Sequence, residues 1–249
     1  MVWFWLQFLL CALLIARAGL GLSASADGLA RAHGWGRGWV GMALLATVTS
    51  MPELASGISA VALVDAPNLA VGNALGACVV NLLFLVVVDA LQHRQPLYRH
   101  AAPSHLLAAA FGVVMLGLAA RGLLAGARAP ALLSLGPFSP LLLGVYLLAL
   151  RSVQAHERAS AKVAAVEPIA AAERRRQWHR FVVAALVVLA AGSWLPQVAA
   201  RLAEGMGWSR SLVGTVFMAI VTTLPEMAVT LGALRVGALD MAIGNLLGS

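Results

Sequence analysis

The sequence has two glutamates that each lie beside a proline in an apolar stretch, where a charged side chain is unusual. Glu53 follows Pro52, and Glu226 follows Pro225. A carboxylate in such a stretch must be neutralised, while proline donates no hydrogen bond and displaces the carbonyl four residues earlier. Freed carbonyls, hydroxyls and carboxylates are hard oxygen ligands of the kind that Ca²⁺ and Na⁺ prefer. The hydroxyl side chains about one turn before the glutamates are those of Thr49, Ser50, Thr222 and Thr223.

The two stretches belong to a longer internal repeat. A shift of 173 residues pairs Thr49 with Thr222, and after a one-residue slip it pairs 72–76 with 244–248, which both begin Gly-Asn. A proline kink beside an unrelated glutamate would explain one copy, but chance rarely places so costly a feature twice. Internal repeats in a chain of apolar segments indicate a two-repeat transporter with its site at the repeat interface.

Composition places the chain in a membrane. Hydrophobic residues make up 61% of it and charged residues 11%, with a mean hydropathy of +0.88, whereas soluble domains carry about 25% charged residues. The net charge of +7 comes from basic residues between the apolar runs. Such residues indicate on which side of the membrane each loop lies, and they give no reason to expect a nucleic-acid partner. Cys11 and Cys78 form neither a disulfide framework nor a zinc spacing, and no cofactor is expected.

The apolar runs predict an all-α, polytopic membrane protein, an inverted-repeat helical bundle of about seven complete spans and the start of an eighth. A cleaved signal peptide is the alternative interpretation of the first apolar run, although this run lacks the basic residues with which signal peptides begin. Two prolines, Pro137 and Pro140, predict a kink in the fifth span. The predicted spans are 1–30, 38–64, 69–91, 103–120, 130–150, 181–202, 211–235 and a last one that begins near residue 239.

The spans divide into two halves of opposite orientation. Residues 1–150 form the first inverted repeat (motif at 41–81), 151–180 a basic linker, and 181–249 a truncated second repeat (motif at 214–249). Five spans separate the motif spans, an odd number, so the two copies are inverted. An outside amino terminus puts twelve basic residues in inner loops and four in outer loops. The linker is then cytoplasmic, as a short amphipathic helix or a flexible tether, and Glu53 and Glu226 meet near the midplane.

These motifs resemble the alpha-repeats of the cation/calcium exchanger superfamily, of the sodium/calcium exchanger type. The family pattern is a Gly-Thr-Ser-x-Pro-Glu helix followed by a Gly-Asn-x-x-Gly-Ser-Asn-x-x-Asn (or Asp) helix. The first copy reads Thr-Ser-Met-Pro-Glu at 49–53 and then 72–81, and the second reads Thr-Thr-Leu-Pro-Glu at 222–226 and then 244–249. The resemblance implies ten spans, so this chain is expected to be C-terminally truncated and the fragment to insert without transporting.

The resemblance also implies the ligands. Glu53 and Glu226 would bridge one Ca²⁺, with oxygens at Thr49 and Thr222 completing its shell. Asn73 is expected to be interhelical glue, since asparagines in spans often join helices. The Na⁺ sites would use Ser50, Thr223, Asn81, Ser249 and the carbonyls of Ala46 and Ala219, in addition to Thr49 and Thr222. The remaining motif residues are Pro52, Pro225, Asn73 and Asn245, with Gly72 and Gly76 assigned to packing.

Three departures from the family pattern affect this expectation. Val48 and Val221 stand where the family has glycine before threonine. Ala77-Cys78 replaces the usual Ser-Asn. The sequence stops at Ser249, before the last Asn or Asp position of the second motif, and Asp240 is not that ligand because it aligns with Asn68, at the entrance of the span.

The predicted function is a secondary-active antiporter that exchanges Ca²⁺ for Na⁺ across the plasma (inner) membrane. The partners are membrane lipid and the transported cations, and the oligomeric state is left open. H⁺-coupled Ca²⁺ exchange is the alternative within transport, and a non-transporting membrane fragment is another. An intramembrane aspartyl protease is the alternative of a different class, but the chain lacks the Gly-x-Gly-Asp setting that it needs, so no enzyme is expected.

Overall fold

The computed structural model describes residues 1–32, 46–91, 99, 103–126, 136–160, 170–235 and 239–248. These residues contain helices and no strand, which confirms the all-α fold class. The helices are α1 (Val2–Ala32), α2 (Ala46–Thr49), α3 (Met51–Ala62), α4 (Pro67–Leu91), α5 (Pro103–Ala125), α6 (Phe138–Ser160), α7 (Ala171–Met206), α8 (Arg210–Thr222), α9 (Leu224–Arg235) and α10 (Leu239–Gly248). The α8 helix contains a π-helical segment, Val213–Met218.

Five of the described helices are long and apolar enough to cross a membrane, namely α1, α4, α5, α6 and α7. The pair α8 and α9 is bent by 40° and would add a sixth span. The predicted second span begins at residue 38, outside the described residues, and its described part is α2 and α3. The chain is therefore polytopic, and the count of seven complete spans stays a prediction.

The predicted kink in the fifth span is wrong. The α6 helix begins at Phe138 and continues to Ser160, with Pro137 before it and Pro140 in its first turn. The first amides of a helix have no partner within it, so a proline there loses no hydrogen bond. These prolines therefore start the helix and do not bend it. The predicted start of that span, 130–135, lies outside the described residues.

Helix also extends into the segment predicted as a linker. The predicted sixth span starts at Phe181, but α7 already begins at Ala171, and α6 runs to Ser160. The arginines at 174–176 consequently lie on the first turns of a long helix. The remaining part of the linker, 161–169, lies outside the described residues. At its other end α7 stops at Gly207, whose φ of 68° is a left-handed conformation that glycine adopts without a Cβ clash.

The central packing pair is α1 against α7. They run antiparallel, because Gly205 lies against Met1 at one end and Gly28 lies against Gln177 at the other. One face of α1 is exposed and carries Leu6, Leu10, Leu13 and Leu20, together with Arg17. Most of α5 and α6 is exposed as well. In a membrane such apolar surfaces face lipid, and a long basic side chain reaches toward the headgroups.

Helices α1 and α7 also pack on the motif prolines: α1 lies against Pro225 and α7 lies against Pro52. A Cβ on Gly19 of α1 would lie 2.6 Å from the Cβ of Pro225. A Cβ on Gly192 of α7 would lie 3.2 Å from the carbonyl oxygen of Pro52 and 3.0 Å from the Cβ of Ala55. Gly19 and Gly192 are themselves related by the shift of 173 residues that relates the motifs. The absence of a side chain at both glycines lets each helix approach the opposite motif closely.

Candidate cation site

Both motifs break their helix in the same way. Ser50 separates α2 from α3 with φ −82° and ψ 5°, and Thr223 separates α8 from α9 with φ −84° and ψ 0°. A proline follows two residues after each break and cannot donate the next helical hydrogen bond. The helix resumes in both copies with a 3.1 Å bond, from the amide of Leu54 to Ser50 and from that of Met227 to Thr223. The sequence repeat is therefore also a repeat of backbone geometry.

The two glutamates lie in the first turns of α3 and α9, where the helix dipole favours negative charge. Glu226 is completely buried, and the hydroxyl of Ser50 donates to its Oε1 at 3.4 Å. The carboxylate oxygens of Glu53 are buried without a hydrogen-bond partner, as is Oε2 of Glu226. The two side chains are close enough for direct electrostatic interaction. Thr49 also faces Glu226, and Thr222 faces Glu53 at longer range.

This arrangement brings two carboxyl groups together. In the described part of the chain, the salt bridges of Glu173 with Arg176 and of Glu204 with Arg201 and Arg210 lie on the surface, and none of them includes Glu53 or Glu226. Burying unpaired charge is strongly destabilising, so the pair requires cations or protons. The same part of the chain has no three His, Cys, Asp or Glu side chains placed to hold one metal ion together. The oxygens near the two carboxylates are those of hydroxyl groups, such as the hydroxyl of Ser50.

The two motif asparagines join helices. The amide nitrogen of Asn73 donates to Ser56 at 2.9 Å, and its oxygen accepts from the hydroxyl of Thr222 at 3.1 Å. Asn245 donates to the carbonyl of Glu226 and to the hydroxyl of Thr230, both at 3.1 Å. The prediction that Asn73 links helices is confirmed, and its two partners belong to different halves of the chain.

Two predicted sodium ligands are bonded to each other. The buried hydroxyl of Thr223 donates to the carbonyl of Ala219 at 2.8 Å and to that of Ile220 at 3.3 Å. The amide of Thr223 donates to the Ala219 carbonyl as well, at 3.1 Å. A cation at this carbonyl would require the hydroxyl to turn away from it.

The remaining predicted ligands lie on α4, on α2 or beyond the described residues. Asn81 is 5% exposed, and its Oδ1 has no hydrogen-bond partner. It shares a face of α4 with Asn73 and the buried Ala77, since the three are spaced by four residues. Because α4 runs back along α3 and Asn73 is level with Ser56, Asn81 is near the level of the first break. Ala46 belongs to α2, but its side chain is not described, and Ser249 is outside the described residues.

Glycines bring α4 close to α8, as predicted for Gly72 and Gly76. A Cβ on Gly72 would lie 2.9 Å from the carbonyl oxygen of Ser211, and one on Gly76 would lie 2.7 Å from the Cβ of Ala219. From the other side, a Cβ on Gly214 would lie 2.6 Å from the carbonyl oxygen of Leu69. The close approach allows Asn73 to reach Thr222.

Ser56 and Thr230 are residues of the site region that the sequence analysis missed. Both hydroxyls are completely buried and accept a hydrogen bond from a motif asparagine. The sequence did contain a signal, because a hydroxyl side chain follows Glu53 by three residues and Glu226 by four. Residues three or four apart share a helix face.

A model of the family described as sodium/calcium exchanger protein matches residues 3–151 and 176–249. Among curated proteins, the chain is 28% identical over 216 residues to CaxA of Alkalimonas amylolytica, which is named as an antiporter. That match covers 84% of this chain and 65% of CaxA. The chain therefore spans less than two thirds of the length of this relative.

The fold is similar to solved structures of the sodium-calcium exchanger NCX_Mj. One, soaked with 10 mM Na⁺ and no Ca²⁺, has a TM-score of 0.60 and 20% identity over 100% of this chain and 79% of that one. Another, soaked with 100 mM Na⁺ and 10 mM Sr²⁺, has a TM-score of 0.61 and 20% identity over 100% of this chain and 78% of that one. At this identity the similarity concerns the fold.

Proposed function

The chain belongs to the sodium/calcium exchanger protein family, and from this premise we propose that it is a secondary-active antiporter that exchanges Ca²⁺ for Na⁺. The observation that carries the proposal is the pair Glu53 and Glu226, whose buried oxygens include three without a partner. Two carboxylates match the charge of one divalent cation. Members of this family are transporters, and the proposal includes no catalytic residue.

In the proposed cycle, Ca²⁺ lies between the two carboxylates, and oxygens at Thr49 and Thr222 complete its shell. Sodium ions replace it at sites built from Ser50, Thr223, Asn81, Ser249 and the carbonyls of Ala46 and Ala219. The empty carboxylates repel each other, so the site favours one divalent cation, several Na⁺ or protons. Either load neutralises the site, and this mutual exclusion is the physical basis of exchange.

We place the protein in the plasma (inner) membrane with the amino terminus outside and residues 151–180 in the cytoplasm. The positive-inside bias of the loops supports this orientation. The two halves are then inverted repeats with the site between them. The reciprocal contacts of Gly19 with Pro225 and of Gly192 with Pro52 support that relation.

The test is the pair of variants Glu53→Gln and Glu226→Gln in the full-length protein. Each should abolish Ca²⁺ uptake into vesicles while expression stays normal, because one remaining carboxylate does not neutralise a divalent ion in a low-dielectric site. Glu173→Gln is the matched control, since Glu173 lies on the surface of α7 with its side chain 41% exposed. Normal uptake by either site variant would remove that residue from the proposed site.

H⁺-coupled Ca²⁺ exchange is the second candidate. It is favoured by the hydrogen bonds that the predicted sodium ligands already make: the Ala219 carbonyl accepts from both the hydroxyl and the amide of Thr223. In addition, Ala77 offers no side-chain oxygen where the family pattern has serine. Protons on the two glutamates would neutralise the site without these oxygens. Ca²⁺ uptake that is driven by a pH gradient in sodium-free buffer would favour this candidate over sodium coupling.

A further inference from the structure

Asn73 is a buried side chain that contacts both motifs. It is 1% exposed, and its two partners, Ser56 and Thr222, are completely buried. Ser56 belongs to the first motif helix, and Thr222 is the last residue before the break in the second motif helix. Buried hydrogen-bond networks of this kind specify one arrangement of their members, because an unpaired polar group would be costly there.

The partners fix which way the amide of Asn73 points. The hydroxyl of Ser56 donates to the carbonyl of Glu53 at 3.0 Å, so its hydrogen is used and it can only accept from Asn73. The amide nitrogen must therefore face Ser56, at 2.9 Å. The amide oxygen is left to face Thr222, and it accepts the hydroxyl of that residue at 3.1 Å.

This orientation controls the single hydroxyl hydrogen of Thr222. The hydrogen has two acceptors, the Asn73 oxygen at 3.1 Å and the Ala219 carbonyl at 3.4 Å, and the shorter contact is the stronger one. The Thr222 oxygen then offers only lone pairs to its other neighbours. One neighbour is Glu53: Thr222 faces its carboxylate, but at longer range than it faces Asn73, so the two carboxylate oxygens have no close hydrogen-bond partner.

We propose that Asn73 is a positioning residue for the cation site. It holds the hydrogen of Thr222 away from Glu53, so that the threonine presents an oxygen lone pair and the carboxylate stays free to bind a cation. Without Asn73 the remaining acceptors are Glu53 and the Ala219 carbonyl, which already accepts two hydrogen bonds from Thr223. The hydroxyl then turns to the carboxylate, the stronger acceptor, and this hydrogen bond must break before a cation binds. The inference rests on the proposed function only in that Glu53 binds a cation, whichever ion is exchanged for it.

The experiment is a double-mutant cycle in the full-length protein, reconstituted in liposomes. Asn73→Ala should raise the half-saturating Ca²⁺ concentration about tenfold, the size expected for one hydrogen bond to a charged group. The maximal rate should stay within about twofold. In a Thr222→Val background the same substitution should change half-saturation less than about twofold, because no hydroxyl hydrogen is left to misdirect. Ser104→Ala, which removes another fully buried hydroxyl on α5, controls for lost packing.

A purely structural role predicts a different result. Asn73→Ala would then lower the melting temperature without changing half-saturation, or would change it by the same factor in both backgrounds, and either outcome overturns the proposal. Infrared spectra of the cation-free protein provide a readout that does not depend on transport. The carboxyl band that disappears in Glu53→Gln should shift to the hydrogen-bonded range in Asn73→Ala, and an unshifted band would contradict the proposal even if Ca²⁺ is not the substrate.

Discussion

The oxygen-bearing side chains around Glu53 and Glu226 differ in what they bond to, and this bears on which cation the site can hold. Ser50 donates to Glu226, whereas Thr223 donates to carbonyls of its own helix. The carboxylates retain unpartnered oxygens, as does Asn81. The two carboxylates of the proposed calcium site therefore keep oxygens open to a cation, while the proposed sodium ligands near Ala219 must rearrange first.

The two copies also differ at one ligand position, and this gives a prediction at the residue scale. Ala77 stands where the family pattern has serine, next to Cys78, whose soft sulfur is a poor ligand for the hard cation Na⁺. We expect Ala77→Ser to restore a sodium ligand and to steepen the sodium dependence of Ca²⁺ efflux in a full-length exchanger, with Ca²⁺ binding unchanged.

The measurement is the Hill slope and half-saturating sodium concentration of efflux from loaded vesicles. Ala77 is 7% exposed and lies on the buried face of α4. The alternative is that it only packs there while a water replaces the missing hydroxyl. An unchanged slope and half-saturation in Ala77→Ser would support that alternative.

At the scale of the helices, the site depends on two breaks that other helices hold in place. The first helix of each half lies directly on the proline of the opposite motif, through Gly19 and Gly192. A movement of α1 therefore displaces the motif that contains Pro225, and a movement of α7 displaces the motif that contains Pro52. These two contacts connect each half of the chain directly to the motif of the other half.

We predict that Gly19→Ala impairs Ca²⁺ transport far more than Gly192→Ala does. The new methyl group at residue 19 would collide with the rigid ring of Pro225, whereas at residue 192 the contacts of 3.0 Å and longer allow a small adjustment. Overpacking costs about 1–3 kcal/mol. Uptake rates and melting temperatures of the two variants measure the effect.

Gly57→Ala serves as the control for this comparison, because it places the same methyl group on motif helix α3 with nothing within 4 Å. In a helix interior this change alone should stabilise by about 0.5–1 kcal/mol. Equal effects of all three substitutions would show that helix propensity, and not the contact with Pro225, sets the outcome.

At the scale of the whole molecule, the orientation in the membrane can be tested on α7 alone. Arg176 and Arg201 lie near its two ends with their side chains 61% and 68% exposed. They are 25 residues apart, which is about 37 Å along a helix and enough to cross the hydrocarbon core. The predicted topology places Arg201 outside and Arg176 inside.

Single-cysteine variants test this placement. With Cys11 and Cys78 replaced by serine, Arg201→Cys should react with a membrane-impermeant maleimide on intact cells, and Arg176→Cys should react only after permeabilisation. The reverse pattern would invert the topology and move the basic residues outside. Labelling of both on intact cells would mean that α7 does not span the membrane.

Some features of this protein follow from short-range chemistry and are visible in the sequence. Apolar runs determine the membrane helices, and a proline determines a helix break wherever it lacks the amide that the helix needs. Repetition of Pro52-Glu53 at Pro225-Glu226 therefore predicted two equivalent breaks with buried carboxylates, as found. Helix starts were predicted less well. A proline is tolerated in the first turn of a helix but bends its interior, and the sequence did not show which position Pro137 and Pro140 occupy.

The contacts between residues from distant parts of the chain become visible only in the three-dimensional structure. Asn73 bonds to Thr222, 149 residues away, and Gly19 packs on Pro225. Such pairs depend on how closely whole helices approach, which is set by many weak packing contacts and not by local propensity. The same holds for Ser56: its spacing from Glu53 places it on the same helix face, but its partner Asn73 is set only by the packing of α4 against α3.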